Sequence, residues 1–245
     1  RNLAELSAVL GDLEESKNFT AEADSLAILI NQKMWNAEDR FYFDLTIDEK
    51  YCPIKTIAAF WALISRTATA EKAQYLVDQL KNPGTFGRLH PVPSLAADEA
   101  EYYPAGGYWS GAVWIATNTM VIKGLGQYGY HGLAKEIALK HLEAMAQVFQ
   151  KTGTIWENYA ADSLKEGVNT DGAPVVKDLV GFSGVTPILV FLEYGIGLNP
   201  DAPRNQLNWE ISSNKRSGCE NFRFNGHVVD LLAVPYEDLL KIIIN

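Results

Sequence analysis

The apolar residues of the first two hundred positions recur at helical spacing and do so in pairs, which limits the chain to folds made of helical hairpins. Leu3, Leu6, Val9, Leu10 and Leu13 give a first segment one apolar side, and Ala23, Leu26, Ile30 and Met34 do the same for a second. A loop holding Asn36, Asp39, Asp44 and Pro53 leads to another pair, built on Ile57, Phe60, Trp61 and Ile64 and on Tyr75, Leu76 and Leu80. The spacing predicts a third pair over residues 109 to 127 and 133 to 150, with Val113, Thr117, Met120 and Val121 on one side. A final helix over residues 182 to 194 is almost wholly apolar, and such a helix is expected to be buried on most sides.

From Asp201 the period drops to two. Leu207, Trp209 and Ile211 alternate, as do Phe222 and Phe224, and Asn225-Gly226 before His227 reads as a hairpin turn. The expectation is a mainly α chain: helical hairpins over residues 1 to 200, then a short β appendage over residues 201 to 245. Two loops, residues 82 to 107 and 152 to 180, exceed the dozen or so residues usual between packed elements, and loops of that length tend to be functional. Both carry acids and aromatics.

Charge and composition narrow the partner. A formal net charge of -9, with no dense Lys/Arg run, disfavours nucleic acid and anionic membranes, and no apolar run approaches a membrane span. The four histidines, His90, His131, His141 and His227, lack the close spacing of metal ligands, so no metal or cofactor is expected and each histidine reads as structural or solvent-exposed. Cys52 and Cys219 stand far apart and leave the compartment open, periplasmic, secreted or cytoplasmic. A neutral ligand such as an oligosaccharide or small glycoside suits this balance.

Two segments carry the chemistry. Thr154-Ile155-Trp156-Glu157-Asn158-Tyr159 sets one acid between aromatics at the start of a Gly- and Asp-rich loop. A carboxylate so placed can activate water beside a sugar, whose apolar C–H faces stack on rings. Tyr108-Trp109-Ser110-Gly111-Ala112-Val113-Trp114 is the second. Trp109, beside Gly106 and Gly107, is suited to line a pocket, whereas Trp114 alone is explained as core. Asp44 and Asp98 are pocket candidates near helix ends, where capping is the commoner role, and Asp178 is most simply a capping or loop-fixing residue.

In order and approximate spacing, residues 107 to 114, Ile155-Trp156-Glu157-Asn158-Tyr159 and Val180-Gly181-Phe182-Ser183-Gly184 resemble the clan of trehalase and processing α-glucosidase, above all bacterial relatives of glycoside hydrolase family 63, mannosylglycerate hydrolase-like enzymes among them. Met34-Trp35-Asn36 with Phe41-Tyr42-Phe43-Asp44 is also similar to a segment of these enzymes. The resemblance implies an (α/α)6 barrel, of which this would be the C-terminal half, and hydrolysis with inversion. Glu157 would be the general base, with Tyr108, Trp109, Trp114 and Trp156 lining the sugar pocket. Trehalases carry Arg where Ser110 stands, and many relatives carry Trp where Phe182 stands. The family's acid is an Asp well over a hundred residues before the base, a count that runs off the front of this chain. About seven helices also cannot close a twelve-helix ring. The acid is therefore expected on another segment, with the N-terminal half or self-association covering the open helices. A non-catalytic carbohydrate-binding or degenerate module is the alternative, and a sugar epimerase, which would use histidine pairs, is disfavoured by the scattered histidines.

Overall fold

The computed structural model describes residues 1–179, 181–211, 214–237 and 239–244; Val180 of the third motif lies outside them. Two compact units emerge, Arg1–Ser183 and Gly184–Asn245. The first is built of antiparallel helical hairpins of the kind that make (α/α) toroids, and a small antiparallel sheet closes the second.

Helices α1 (Asn2–Val9) and α2 (Leu13–Lys33) form the first hairpin. Gly11, at φ +85°, turns the chain between them, and the Asp12 carboxylate accepts the Glu15 N–H at 3.0 Å to cap α2. Leu3, Leu6, Val9, Leu10, Leu13, Leu26 and Leu29 all stay exposed, so the apolar side read from the sequence is present and uncovered. Two miniature hairpins follow: β1 (Trp35–Asn36) pairs with β2 (Phe41–Tyr42), and β3 (Asp44–Leu45) with β4 (Tyr51–Cys52). Strands of two residues carry no readable period, and nothing in the residue pattern announces them.

A 3-10 turn over Ile57–Phe60 runs into α3 (Trp61–Ile64), and α4 (Ala70–Lys81) starts at Thr69, whose hydroxyl accepts the Lys72 N–H. Phe41, Phe60 and Phe86 meet at the centre, Phe60 edge-on to Phe86 at 4.8 Å, and all three are fully buried. Helix α5 (Ile115–Gln127) packs against α3 so closely that a Cβ on Gly124 would stand 2.8 Å from the Ile64 nitrogen. Helix α6 (His131–Thr152) returns alongside α5, burying Ala134, Ile137, Ala138, His141, Ala144, Met145 and Val148, a stripe of three-, four- and seven-residue steps.

Helix α5 begins six residues later than the expected start at Trp109. Residues 111–113 are drawn into extended pairing instead, with Val113 bridging both Pro93 and Tyr159. The last apolar helix also differs. It runs as α7 (Phe182–Val190) and continues as a π-helix to Ile196, but Val185, Ile188, Leu189 and Phe191 are 65%, 61%, 44% and 52% exposed. Apolarity of the sequence here does not translate into burial of every side.

In the second unit β5 (Leu198–Asp201) pairs with β6 (Gln206–Trp209), so strand structure begins at Leu198. β7 (Ser217–Phe224), β8 (His227–Tyr236) and β9 (Leu239–Ile244) form a meander in the order β7-β8-β9. Asn225 and Gly226, at φ +46° and +81°, make the β7–β8 turn that the Asn-Gly dipeptide predicts.

Candidate active site

The two motif segments lie side by side. Val113 and Tyr159 exchange both backbone hydrogen bonds, at 2.8 and 3.0 Å, while Tyr159 also bridges Glu166 and Val113 bridges Pro93. The site is therefore carried by adjacent extended stretches rather than by a helix. The turn leading in takes positive φ at three successive residues, Gly106 (+123°), Gly107 (+50°) and Tyr108 (+60°). For Tyr108 this left-handed conformation costs on the order of 1 kcal/mol, and such strain tends to gather at functional sites. Ser94 holds the exit of the turn, its hydroxyl donating to the Trp109 carbonyl and accepting the Gly111 N–H.

The strained turn delivers Tyr108 to Glu157: the phenol O–H donates to Glu157 Oε1 at 3.2 Å. Desolvation, and after it the Glu157 charge and hydrogen bond, raise this phenol above its usual value of 10.0, so it is a donor at neutral pH. The Tyr108 carbonyl in turn accepts the Trp114 indole N–H at 3.3 Å. Trp109 and Trp114 stack with centroids 4.3 Å apart and planes at 10°, and Tyr108 stands edge-on to Trp114 at 4.9 Å. Trp114 is 4% exposed and serves as backing; Trp109 is 52% exposed and offers a flat surface. Glu157 itself is half-buried, its N–H donating to the Val176 carbonyl and its carbonyl accepting the Ser183 hydroxyl at 2.8 Å. A carboxylate fixed at both its backbone and one oxygen, beside an open indole face, can take a proton from water next to a stacked sugar ring.

Of the residues singled out from the sequence, Tyr108, Trp109, Trp114 and Glu157 thus come together, and the other four lie or make their contacts elsewhere. Trp156 packs against Met145, Val148 and Tyr159 and donates its indole N–H to the Thr152 hydroxyl. Asp44 is exposed and borders a cavity of about 390 Å³ shared with Tyr42, Phe43, Trp61 and Met120. Asp98 is ion-paired with Lys55 at 2.5 Å. Asp178 ties its loop to Thr154, the loop-fixing role read from the sequence. Among the described residues no group of three His, Cys, Asp or Glu side chains is arranged to hold a metal ion, and no helix is long and apolar enough to cross a membrane.

Sequence reasoning missed what lies beneath. His90 and His141, both fully buried, meet through Nε2 and Nδ1 at 2.8 Å, and the Asn118 amide reaches the same His141 nitrogen at 3.1 Å. Fifty-one residues separate the two rings, and only the fold makes them a pair. A second unread cluster joins the two long loops: Arg88 donates to Asp162 at 2.7 Å, and the Tyr102 hydroxyl donates to the other carboxylate oxygen at 3.0 Å.

Comparison with known proteins gives a consistent answer. Residues 1–164 match the mannosylglycerate hydrolase MGH1-like glycoside hydrolase domain. A mannosylglycerate hydrolase of Rubrobacter radiotolerans is 32% identical over 161 residues, which is 62% of this chain and 34% of that protein. An uncharacterized protein of Borreliella burgdorferi is 29% identical over 227 residues, 89% of this chain and 48% of its own length. Among solved structures, a family 63 mannosylglycerate hydrolase of Thermus thermophilus, in complex with glucose, superposes with a TM-score of 0.59 at 24% identity, over 77% of this chain and 43% of that one. The chain spans less than half the length of each of these relatives.

Proposed function

We propose that this chain, which belongs to the family of mannosylglycerate hydrolase MGH1-like glycoside hydrolase domains, supplies the general base and one aromatic wall of an inverting α-glycosidase. The observation that carries the reading is the fixed carboxylate: Glu157 accepts the Tyr108 hydroxyl beside the stacked Trp109–Trp114 pair. Glu157 deprotonates a water molecule on the face of the sugar opposite the leaving group, and Trp109 receives the ring's C–H face. Inversion requires a second carboxyl about 6.5–9.5 Å away to protonate the leaving oxygen. Asp98 and Asp162 are engaged by Lys55 and Arg88, and in this reading the acid comes from another segment of the family domain, as the resemblance implies. As the C-terminal half of that domain, the chain would be inactive alone, and the uncovered apolar sides of α1 and α7 are where the other half, or a second copy, packs. Relatives named for mannosylglycerate point to a small α-glycoside as substrate.

The test is a chimera in which this chain replaces the matching part of the Rubrobacter radiotolerans hydrolase, assayed for α-glycoside turnover and, separately, sugar binding. Glu157→Gln should leave binding nearly intact and cut turnover by about 10² to 10⁴, because an amide cannot accept the water's proton. Turnover that survives the substitution removes Glu157 from the mechanism. A carbohydrate-binding module without catalysis is the second reading, favoured by the half-exposed Trp109, which needs no acid to hold a sugar. It predicts binding in the chimera with no Glu157-dependent turnover.

A further inference from the structure

Beneath the Glu157 segment lies a polar network in an otherwise apolar core. Asn118 on α5 has its amide oriented by two backbone groups: Nδ2 donates to the Pro91 carbonyl at 2.8 Å, and Oδ1 accepts the Val92 N–H at 3.3 Å. That orientation turns the amide N–H toward His141 Nδ1 on α6, which must therefore present its lone pair, and the proton in the 2.8 Å gap between the rings belongs to His90 Nε2. The outer nitrogens, His90 Nδ1 and His141 Nε2, have no hydrogen-bond partner among the described residues.

The contacts of these residues point to the site above them. The His90 backbone N–H donates to the Ala161 carbonyl at 2.9 Å, and both imidazoles pack on the Tyr159 ring, at 5.7 and 6.4 Å between centroids. Tyr159 is 1% exposed, stands two residues from Glu157 and is bonded to Val113, the residue before Trp114. The network thus joins two helices to the stretch carrying Glu157 and, through Val113, to the stretch carrying Tyr108. We propose that His90, His141 and Asn118 are positioning residues that hold the Glu157 carboxylate at the Tyr108 hydroxyl, a role that rests on the reading of Glu157 as the base. Directional hydrogen bonds fix the height of the 157–161 stretch over α5 and α6, where an apolar filling would let it slide.

The experiment reads the Tyr108–Glu157 contact directly, so its outcome does not depend on catalysis. The protein is labelled with 13Cζ-tyrosine. Tyr108→Phe assigns the Tyr108 signal, and Glu157→Gln marks its position without the carboxylate. His141→Leu should fold yet move the Tyr108 signal most of the way to the Glu157→Gln position. His141→Gln, which keeps a polar acceptor, should return it toward wild type. Asn118→Ala, which spares both rings, gives the same readout should His141→Leu fail to fold. In the chimera, His141→Leu should lower kcat at least tenfold with KM within about twofold. An unmoved Tyr108 signal in a folded His141→Leu or Asn118→Ala variant overturns the proposal, as does failure of His141→Gln to restore it. A signal that moves as expected while Glu157→Gln leaves turnover intact would uphold the positioning and sink the base assignment instead.

Discussion

The buried histidine pair gives the protein an acid sensitivity that can be worked out from one ring and measured. Desolvation is the main force on His141 and brings its pKa from 6.5 to about 3, with the Pro91 carbonyl a partial offset. His90 is driven well below 6.5 by burial and then by His141, offset by the Ala160 carbonyl. Both rings are therefore neutral in the folded protein at neutral pH. A folded-state pKa below the unfolded one means that the unfolded chain binds the proton first. The stability associated with the neutral ring is thus fully present above pH 6.5 and is lost as the pH falls, until the folded ring itself titrates near 3. Between pH 7.5 and 4.5 the loss from His141 alone is roughly 3 kcal/mol, close to two pH units at about 1.4 kcal/mol each. His90 adds to it with the same sign.

Urea unfolding at the two pH values, on wild type and on His141→Leu, isolates this contribution, since surface carboxylates titrate alike in both proteins. The leucine variant should lose roughly 3 kcal/mol less on acidification than wild type. Equal losses would mean that His141 can take up a proton in the native state, and the neutral, buried pair would have to be abandoned.

Three further outcomes follow from the geometry. Trp109→Ala removes a half-exposed ring, so stability should stay within about 1 kcal/mol while sugar binding weakens about three- to tenfold, measured by fluorescence titration of the chimera. Trp114→Ala should cost about 3–5 kcal/mol in urea unfolding, because that ring is 4% exposed and backs both Tyr108 and Trp109. Gly111→Ala sets a Cβ 2.8 Å from the Tyr103 carbonyl oxygen at φ +142°, and should destabilise by about 1–3 kcal/mol with a matching fall in the thermal midpoint.

Periodicity made α2, α4 and α6 legible because each carries a repeating apolar side. The β7–β8 turn was legible for a local reason: Asn-Gly accepts positive φ at both central positions. The start of α5 was not, since Trp109 to Trp114 has helical spacing but spends its backbone bonds on Ser94, Tyr103 and Tyr159. Tertiary pairing overrode local preference there. The burial expected of α7 does not hold for Val185, Ile188, Leu189 and Phe191, because apolarity alone does not say which neighbour covers each side. At the candidate site, Glu157 and Trp109 stood out from their neighbours in the sequence, and Tyr108 and Trp114 entered through the family resemblance, whereas Trp156, equally aromatic and adjacent to Glu157, turned to the end of α6. Adjacency in sequence says little about which side chains share a pocket once the backbone bends.

The same geometry explains how a half-exposed acid can be held firmly without regular secondary structure around it. Glu157 is tied to Val176 and Ser183 at its own backbone, Asn158 to Gly167, and Tyr159 to Val113, so neighbouring residues are fastened to different loops. Loops fastened only to one another could still shift together. Tyr159, locked against two imidazoles that are themselves anchored on α5 and α6, ties the assembly to the helical hairpin beneath. Rigidity at the surface is in this way inherited from the core through one ring, and the polar network beneath that ring is where a substitution far from any sugar should still reach Glu157.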